Sequence, residues 1–120
     1  IQTAYLEQLL DADIVPVLAS LGENSSGDLL NINADYLAAA VASSLQAEKL
    51  ILITDIEGVL EDKKVLPQLL TSQVSKKIQT GVIKGGMIPK IESAVQTVLS
   101  GVGQVLIGDN LLTGTLIAEG

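Results

Sequence analysis

An α/β fold with a parallel or mostly parallel sheet, covered on both faces, follows from three observations. Short apolar, β-branched runs alternate with segments of helical periodicity, the order that builds parallel strands joined by crossover helices. The run LILITD at 50–55 is apolar at successive positions, as a strand buried on both faces must be. The chain has 120 residues, 48% hydrophobic and 18% charged, enough for one core and too apolar for disorder. No internal repeat, low-complexity tract or linker interrupts it, so residues 1–120 are expected to form a single domain.

Taken in order, residues 1–12 set Tyr5, Leu6, Leu9 and Leu10 at helical spacing. IVPVLA (14–19) is a short apolar run of strand type, and the polar SLGENSSGD (20–28) reads as a hairpin or exposed loop. After LLNINAD, Leu37, Val41 and Leu45 recur every fourth residue, predicting a helix from about Asp35 to Ala47. The strand LILITD leads into the loop IEGVLEDKKVLP, whose EDKK (61–64) reads as a solvated turn. Thr71 or Ser72 is placed to cap a helix running to Gly81. A further helix follows KGGM, with Pro89 near its first turn, an apolar stripe of Ile91, Ala94, Val95, Val98 and Leu99, and an end at Gly101. QVLIGD (104–109) and GTLIA (114–118) are the last strands, separated by only NLLT.

Composition removes whole classes of chemistry. All seven basic residues are lysines, and His, Cys and Arg are absent. Ser/His/Asp and Cys/His catalysis, soft-metal sites, disulfides and an arginine clamp are therefore unavailable to this chain. A net charge of −7 argues against a nucleic-acid partner, which requires clustered Lys and Arg. No apolar run reaches membrane-spanning length, so the expectation is a cytoplasmic protein without a membrane partner.

In an open α/β sheet, ligands bind beyond the carboxyl ends of the strands, which directs attention to NINAD, TDIEG, VIKGGM and GDN. Lys90 poses the sharpest question. It stands in the first turn of a helix, where the dipole disfavours a cation, and lies off the apolar stripe. A solvated surface lysine is one reading; an anion site completed by the helix N-terminus is the other. Lys84 with Gly85 and Gly86 favours the second, since flexible backbone beside two ammonium groups suits phosphate oxygens. Asn33 and Asp35 can cap the helix through NAD. Equally, Asn31 and Asn33 share a side of an extended chain, and a carboxylate beside them can hold a lysine ammonium, as phosphoryl transfer requires. Asp55 can close a loop or accept hydrogen bonds from ribose hydroxyls.

LLNINADYLAAAVA, EKLILITDIEGVL and GVIKGGMIPKIESAV, in that order and spacing, resemble the C-terminal, nucleotide-binding half of the acetylglutamate kinases of the amino acid kinase family. The resemblance covers nearly the whole chain. Aspartokinase, glutamate 5-kinase and uridylate kinase share the TDIEG kind of motif but differ at NINAD. The resemblance implies an open αβα sandwich and phosphoryl transfer from ATP to the γ-carboxylate of N-acetyl-L-glutamate, in arginine biosynthesis. It makes Lys90 the residue that stabilises the phosphoryl group in flight and Asp35 the one that orients the catalytic lysines. Asn31 and Asn33 fall to acetylglutamate. Thr54, Asp55, Ile56, Glu57, Gly58, Val59 and Leu60, with Val82, Ile83, Lys84, Gly85, Gly86 and Met87, surround the ATP, whose phosphates hold most of the Mg2+. Such enzymes are roughly twice this length, near the upper end of domain size. The absent N-terminal lobe would supply a glycine-rich phosphate loop, a second lysine, a substrate-binding arginine and most of a homo-oligomer interface. On this reading the chain alone is inactive. Three alternatives stand beside it: a sibling kinase acting on aminoadipate, aspartate or glutamate, a noncatalytic nucleotide- or effector-binding module, and an interaction protein that pairs through an open sheet edge.

Overall fold

In the computed structural model, which describes residues 1–120, the chain begins with α1 (Thr3–Asp11) and the strands β1 (Leu21–Glu23) and β2 (Leu29–Asn31). There follow α2 (Ala34–Ser44), β3 (Lys49–Ile53), β4 (Leu60–Glu61), β5 (Lys64–Val65) and β6 (Gln68–Leu70). A 3-10 turn (Thr71–Gln73) leads into α3 (Val74–Gln79), then α4 (Met87–Leu99), β7 (Gln104–Gly108) and β8 (Thr115–Ala118). The main sheet has the order β3-β7-β8-β6, with β3 parallel to β7, β6 parallel to β8, and β7 antiparallel to β8. β1-β2 and β4-β5 are separate antiparallel hairpins.

Local chemistry accounts for the two helices that matter most. Asn33 caps α2, its Oδ1 accepting from Tyr36 N at 3.1 Å, and Asp35 in the first turn complements the dipole. The alanine-rich body that follows is a strong helix former. It ends three residues before the predicted limit, where Gln46 turns to φ 49° and its side-chain amide donates to Ser43 O. α4 starts after Gly85, at φ 59°, and Pro89 falls in its first turn, where a missing N–H costs nothing.

Ile91, Ala94 and Val98 of α4 pack on Leu52, Val105, Ile107 and Ile117 of the sheet, all buried. Burial of this kind is worth roughly 1.5–3 kcal/mol per large aliphatic side chain. Thr115, wholly buried, fastens β8 to the neighbouring hairpin: its hydroxyl donates to Leu66 O at 2.7 Å and accepts from Val59 N at 2.8 Å.

Several expectations are corrected. Residues 14–19 form no strand, and no backbone hydrogen bond reaches residues 15–19. Val15 and Val17 are 83% and 93% exposed, because strand character needs a partner and none lies alongside. β3 is an edge strand, and although Leu52 is buried, Ile53 on the opposite face is exposed. Leu99 leaves the stripe of α4 in its last residue and is exposed. Neither Thr71 nor Ser72 caps α3. The Thr71 hydroxyl donates to Gly120 O, and Gln73 Oε1 receives Leu70 N. The short NLLT turn joins an antiparallel pair, with Asn110 Oδ1 accepting from Leu112 N and Thr113 N.

Candidate functional site

α2 and α4 lie side by side and run the same way. At one end Lys90 meets Asp35. At the other, the hydroxyls of Ser43 and Ser100 hydrogen-bond at 2.8 Å. Both helices precede parallel strands, so their N-termini gather at the carboxyl ends of β3 and β7, where Thr54 N donates to Gly108 O at 2.8 Å. Two positive dipole ends therefore face one region. Lys90 Nζ donates to Asp35 Oδ2 there at 2.6 Å, across 55 positions of sequence.

The arrangement explains how a cation survives at this spot. A lysine in the first turn of a helix costs roughly 0.3–1 kcal/mol. Asp35 sits in the first turn of α2, where a carboxylate is favoured, and its contact with Lys90 offsets the penalty. The side chains are 19% exposed for Lys90 and 41% for Asp35, so the ammonium is held in place and still open to an incoming anion.

Beside this pair is a cavity of about 580 Å³. Ile56, Gly58, Val59, Leu60 and the turn Glu61–Lys63 form one wall; Thr80–Lys84 and Met87 form the other. Apolar side chains in the middle suit a planar base, and Lys84 makes no ion pair. At Gly85 and Gly86 a Cβ would meet nothing within 4 Å, leaving the backbone that opens α4 accessible. A larger groove of about 810 Å³ lies between α2, α3 and α4, but Glu92 is the only charged residue lining it, which disqualifies it for a phosphate ligand. No three acidic side chains converge as a metal cage.

Of the residues singled out by sequence, Asp35, Lys90, Ile56, Gly58, Val59, Leu60, Val82, Ile83, Lys84 and Met87 are gathered in these two adjoining features. Thr54, Asp55 and Glu57 lie on the connecting loop outside the cavity wall, with the Thr54 hydroxyl donating to Asp55 Oδ1 at 3.3 Å. Asn33 is engaged as the helix cap, whereas Asn31 is exposed at the end of β2 with its amide free. Gly58 has a packing reason for its identity: a Cβ there would come within 2.8 Å of Thr115 Oγ1 and 2.9 Å of Val65 Cγ1.

Sequence reasoning missed two features. EDKK is a turn, as expected, but Asp62 and Lys63 both take positive φ (52° and 64°), the type I′ geometry of a two-residue hairpin. Without Asn-Gly at the corner, its usual marker was missing. The hairpin also forms a cavity wall, and Glu61 reaches 16 positions to Lys77, whose Nζ lies 2.9 and 2.8 Å from its two oxygens. No local spacing signals that contact.

The sequence pattern of the amino acid kinase family matches residues 1–109. An acetylglutamate kinase of Streptococcus sanguinis is 95% identical over 120 residues, covering 100% of this chain and 49% of the relative. One from Streptococcus mutans is 61% identical over 117 residues, covering 98% and 48%. A solved Streptococcus mutans structure superposes on all of this chain and 49% of its own, with a TM-score of 0.90 and 59% identity. The chain spans about half the length of the curated relatives it matches.

Proposed function

The chain belongs to the amino acid kinase family, and on that premise we propose that it is the nucleotide-binding, C-terminal half of an acetylglutamate kinase, with residues 1–120 forming one lobe. The reaction is phosphoryl transfer from ATP to the γ-carboxylate of N-acetyl-L-glutamate, a cytoplasmic step of arginine biosynthesis. The observation that carries the reading is the Asp35–Lys90 pair at two convergent helix N-termini, with a cavity lined by both apolar residues and Lys84 on the chain just before α4.

In this mechanism a γ-carboxylate oxygen attacks the γ-phosphorus, the bond to the bridging oxygen breaks, and ADP leaves. Charge develops on the transferring oxygens, and catalysis consists of positioning and neutralising it. Lys90 supplies an ammonium whose direction Asp35 fixes. The cavity takes the base, with Lys84 and the glycine backbone at the phosphates. Asn31 is free to hydrogen-bond the acetylglutamate, and Asn33 holds the start of α2. Thr54, Asp55 and Glu57 border the ribose side. Mg2+ held mainly by the ATP phosphates would supply further positive charge at the transferring group.

The other half of the enzyme supplies the second catalytic lysine, the phosphate loop and the substrate's arginine, and carries most of the homo-oligomer interface. The unpaired segment 15–19 and the open edge of β3 support a partner lobe here, since an apolar stretch exposed to this degree calls for a cover. One lobe cannot align both substrates, so this chain alone is inactive.

Calorimetric titration of the chain with MgATP tests the reading. Saturable binding, weakened about tenfold by Lys90→Ala as expected for loss of a charge-assisted phosphate contact, supports it. Nucleotide binding that Lys90→Ala leaves untouched would move the phosphates elsewhere, and robust acetylglutamyl phosphate formation by the chain alone would contradict the half-enzyme reading.

A further inference from the structure

The two walls of the cavity are held apart by different elements: the β4-β5 hairpin on one side and the segment after α3 on the other. Apart from Val59 and Ile83, which share the buried core beneath, the walls are linked by the hydrogen bonds of Lys77. Its backbone carbonyl accepts from Ile83 N at 3.0 Å, and its ammonium donates to both carboxylate oxygens of Glu61, at 2.9 and 2.8 Å. The side chains are 25% and 32% exposed, sheltered enough for the pair to hold a preferred geometry. No other hydrogen bond joins residues 60–63 to residues 74–84. The base of the hairpin is fastened by Thr115, at Val59 and Leu66, but its tip has only a two-residue ladder of its own.

We propose that Glu61 and Lys77 are positioning residues that set the gap between these walls and thereby the enzyme's affinity for the base end of the nucleotide. The inference rests on the cavity being the ATP site. Neither residue contacts the reacting atoms. When the pair is broken, the tip of the hairpin is released from α3 and the cavity admits ATP with a less complementary wall. The order of the Lys90–Asp35 site, on separate helices, is unaffected.

The test uses the full-length kinase carrying this segment, in Glu61→Gln, Lys77→Met and the double Glu61→Gln/Lys77→Met form, with initial rates against ATP and against acetylglutamate. Each single variant is expected to raise KM for ATP about fivefold, the scale of coupling for a well-aligned ion pair, with kcat and the acetylglutamate KM within about twofold. The double variant is expected to raise it no further than either single, because both remove the same contact. Unchanged ATP KM in both single variants overturns the proposal, as do effects of the two singles that multiply in the double. Parallel losses in kcat and both KM values also overturn it, in favour of general damage. Glu61→Ala, which also removes the carboxylate, provides the same reading if Glu61→Gln folds poorly. A wild-type enzyme that does not phosphorylate acetylglutamate would instead remove the kinase reading, and fluorescent-nucleotide binding by the same variants would still decide the role of the pair.

Discussion

Two lysine–carboxylate pairs join distant parts of this chain with similar lengths and opposite local logic. Lys77 lies in the last turn of α3, where the helix dipole favours a cation, and Glu61 sits on a hairpin edge opposite Lys64. Every local term agrees with Lys77. Lys90 lies in the first turn of α4, beside the N-terminus of α2, where the local field opposes it. The local field and the partner both favour the first cation, whereas the second stands against the local field and is held by Asp35. On the proposed function, the difference separates a residue that shapes a site from one that acts in it.

The largest effect expected is at Lys90. Lys90→Ala in the full-length enzyme should lower kcat by about 10²–10³, the loss seen when a preorganised donor to a developing charge is removed. The fold should remain intact by circular dichroism, since the side chain lies off the buried stripe. A kcat within about twofold of wild type would erase the distinction between the pairs. Asp35→Asn keeps the shape but loosens the ammonium, and should cost less, about tenfold in kcat, with little change in ATP affinity.

Thr115 lies behind the cavity and measures the wall's foundation. Thr115→Val preserves volume but strands Val59 N–H and Leu66 C=O, both partnered by the hydroxyl. Roughly 1–3 kcal/mol of stability should be lost, read as a lower urea midpoint at unchanged slope. Stability that is unchanged would mean that water replaces the hydroxyl at both groups.

The parts of the molecule that the sequence made legible are those governed by neighbours in sequence. α4 was readable from Pro89, the glycines before it and the spacing of Ile91, Ala94 and Val98, and the hairpin across 20–28 from its turn residues. The meeting of Asp35 with Lys90 was within reach because both stand at helix starts that an alternating α/β order brings to one edge. What escaped depends on partners distant in sequence. Thr115 is an ordinary strand threonine until Val59 and Leu66 are placed around it. IVPVLA has strand composition, but composition cannot supply the neighbour that makes a strand. Glu61 read as part of a solvated turn because Lys77 lies 16 positions further on, past any local spacing that could pair them.

The smallest effect is expected from Glu61→Gln on stability. A pair that retains a quarter to a third of its exposure gains little over hydrated charges once side-chain ordering is subtracted, so the substitution should cost under about 1 kcal/mol. The isosteric amide can still accept one hydrogen bond from Lys77, which limits the loss further. Measured by urea unfolding beside Thr115→Val, this variant should unfold at nearly the wild-type midpoint. Its higher ATP KM then cannot be attributed to global weakening. A midpoint as low as that of Thr115→Val would show that the hairpin tip belongs to the structural core, and that the Glu61–Lys77 pair stabilises the domain instead of tuning the cavity.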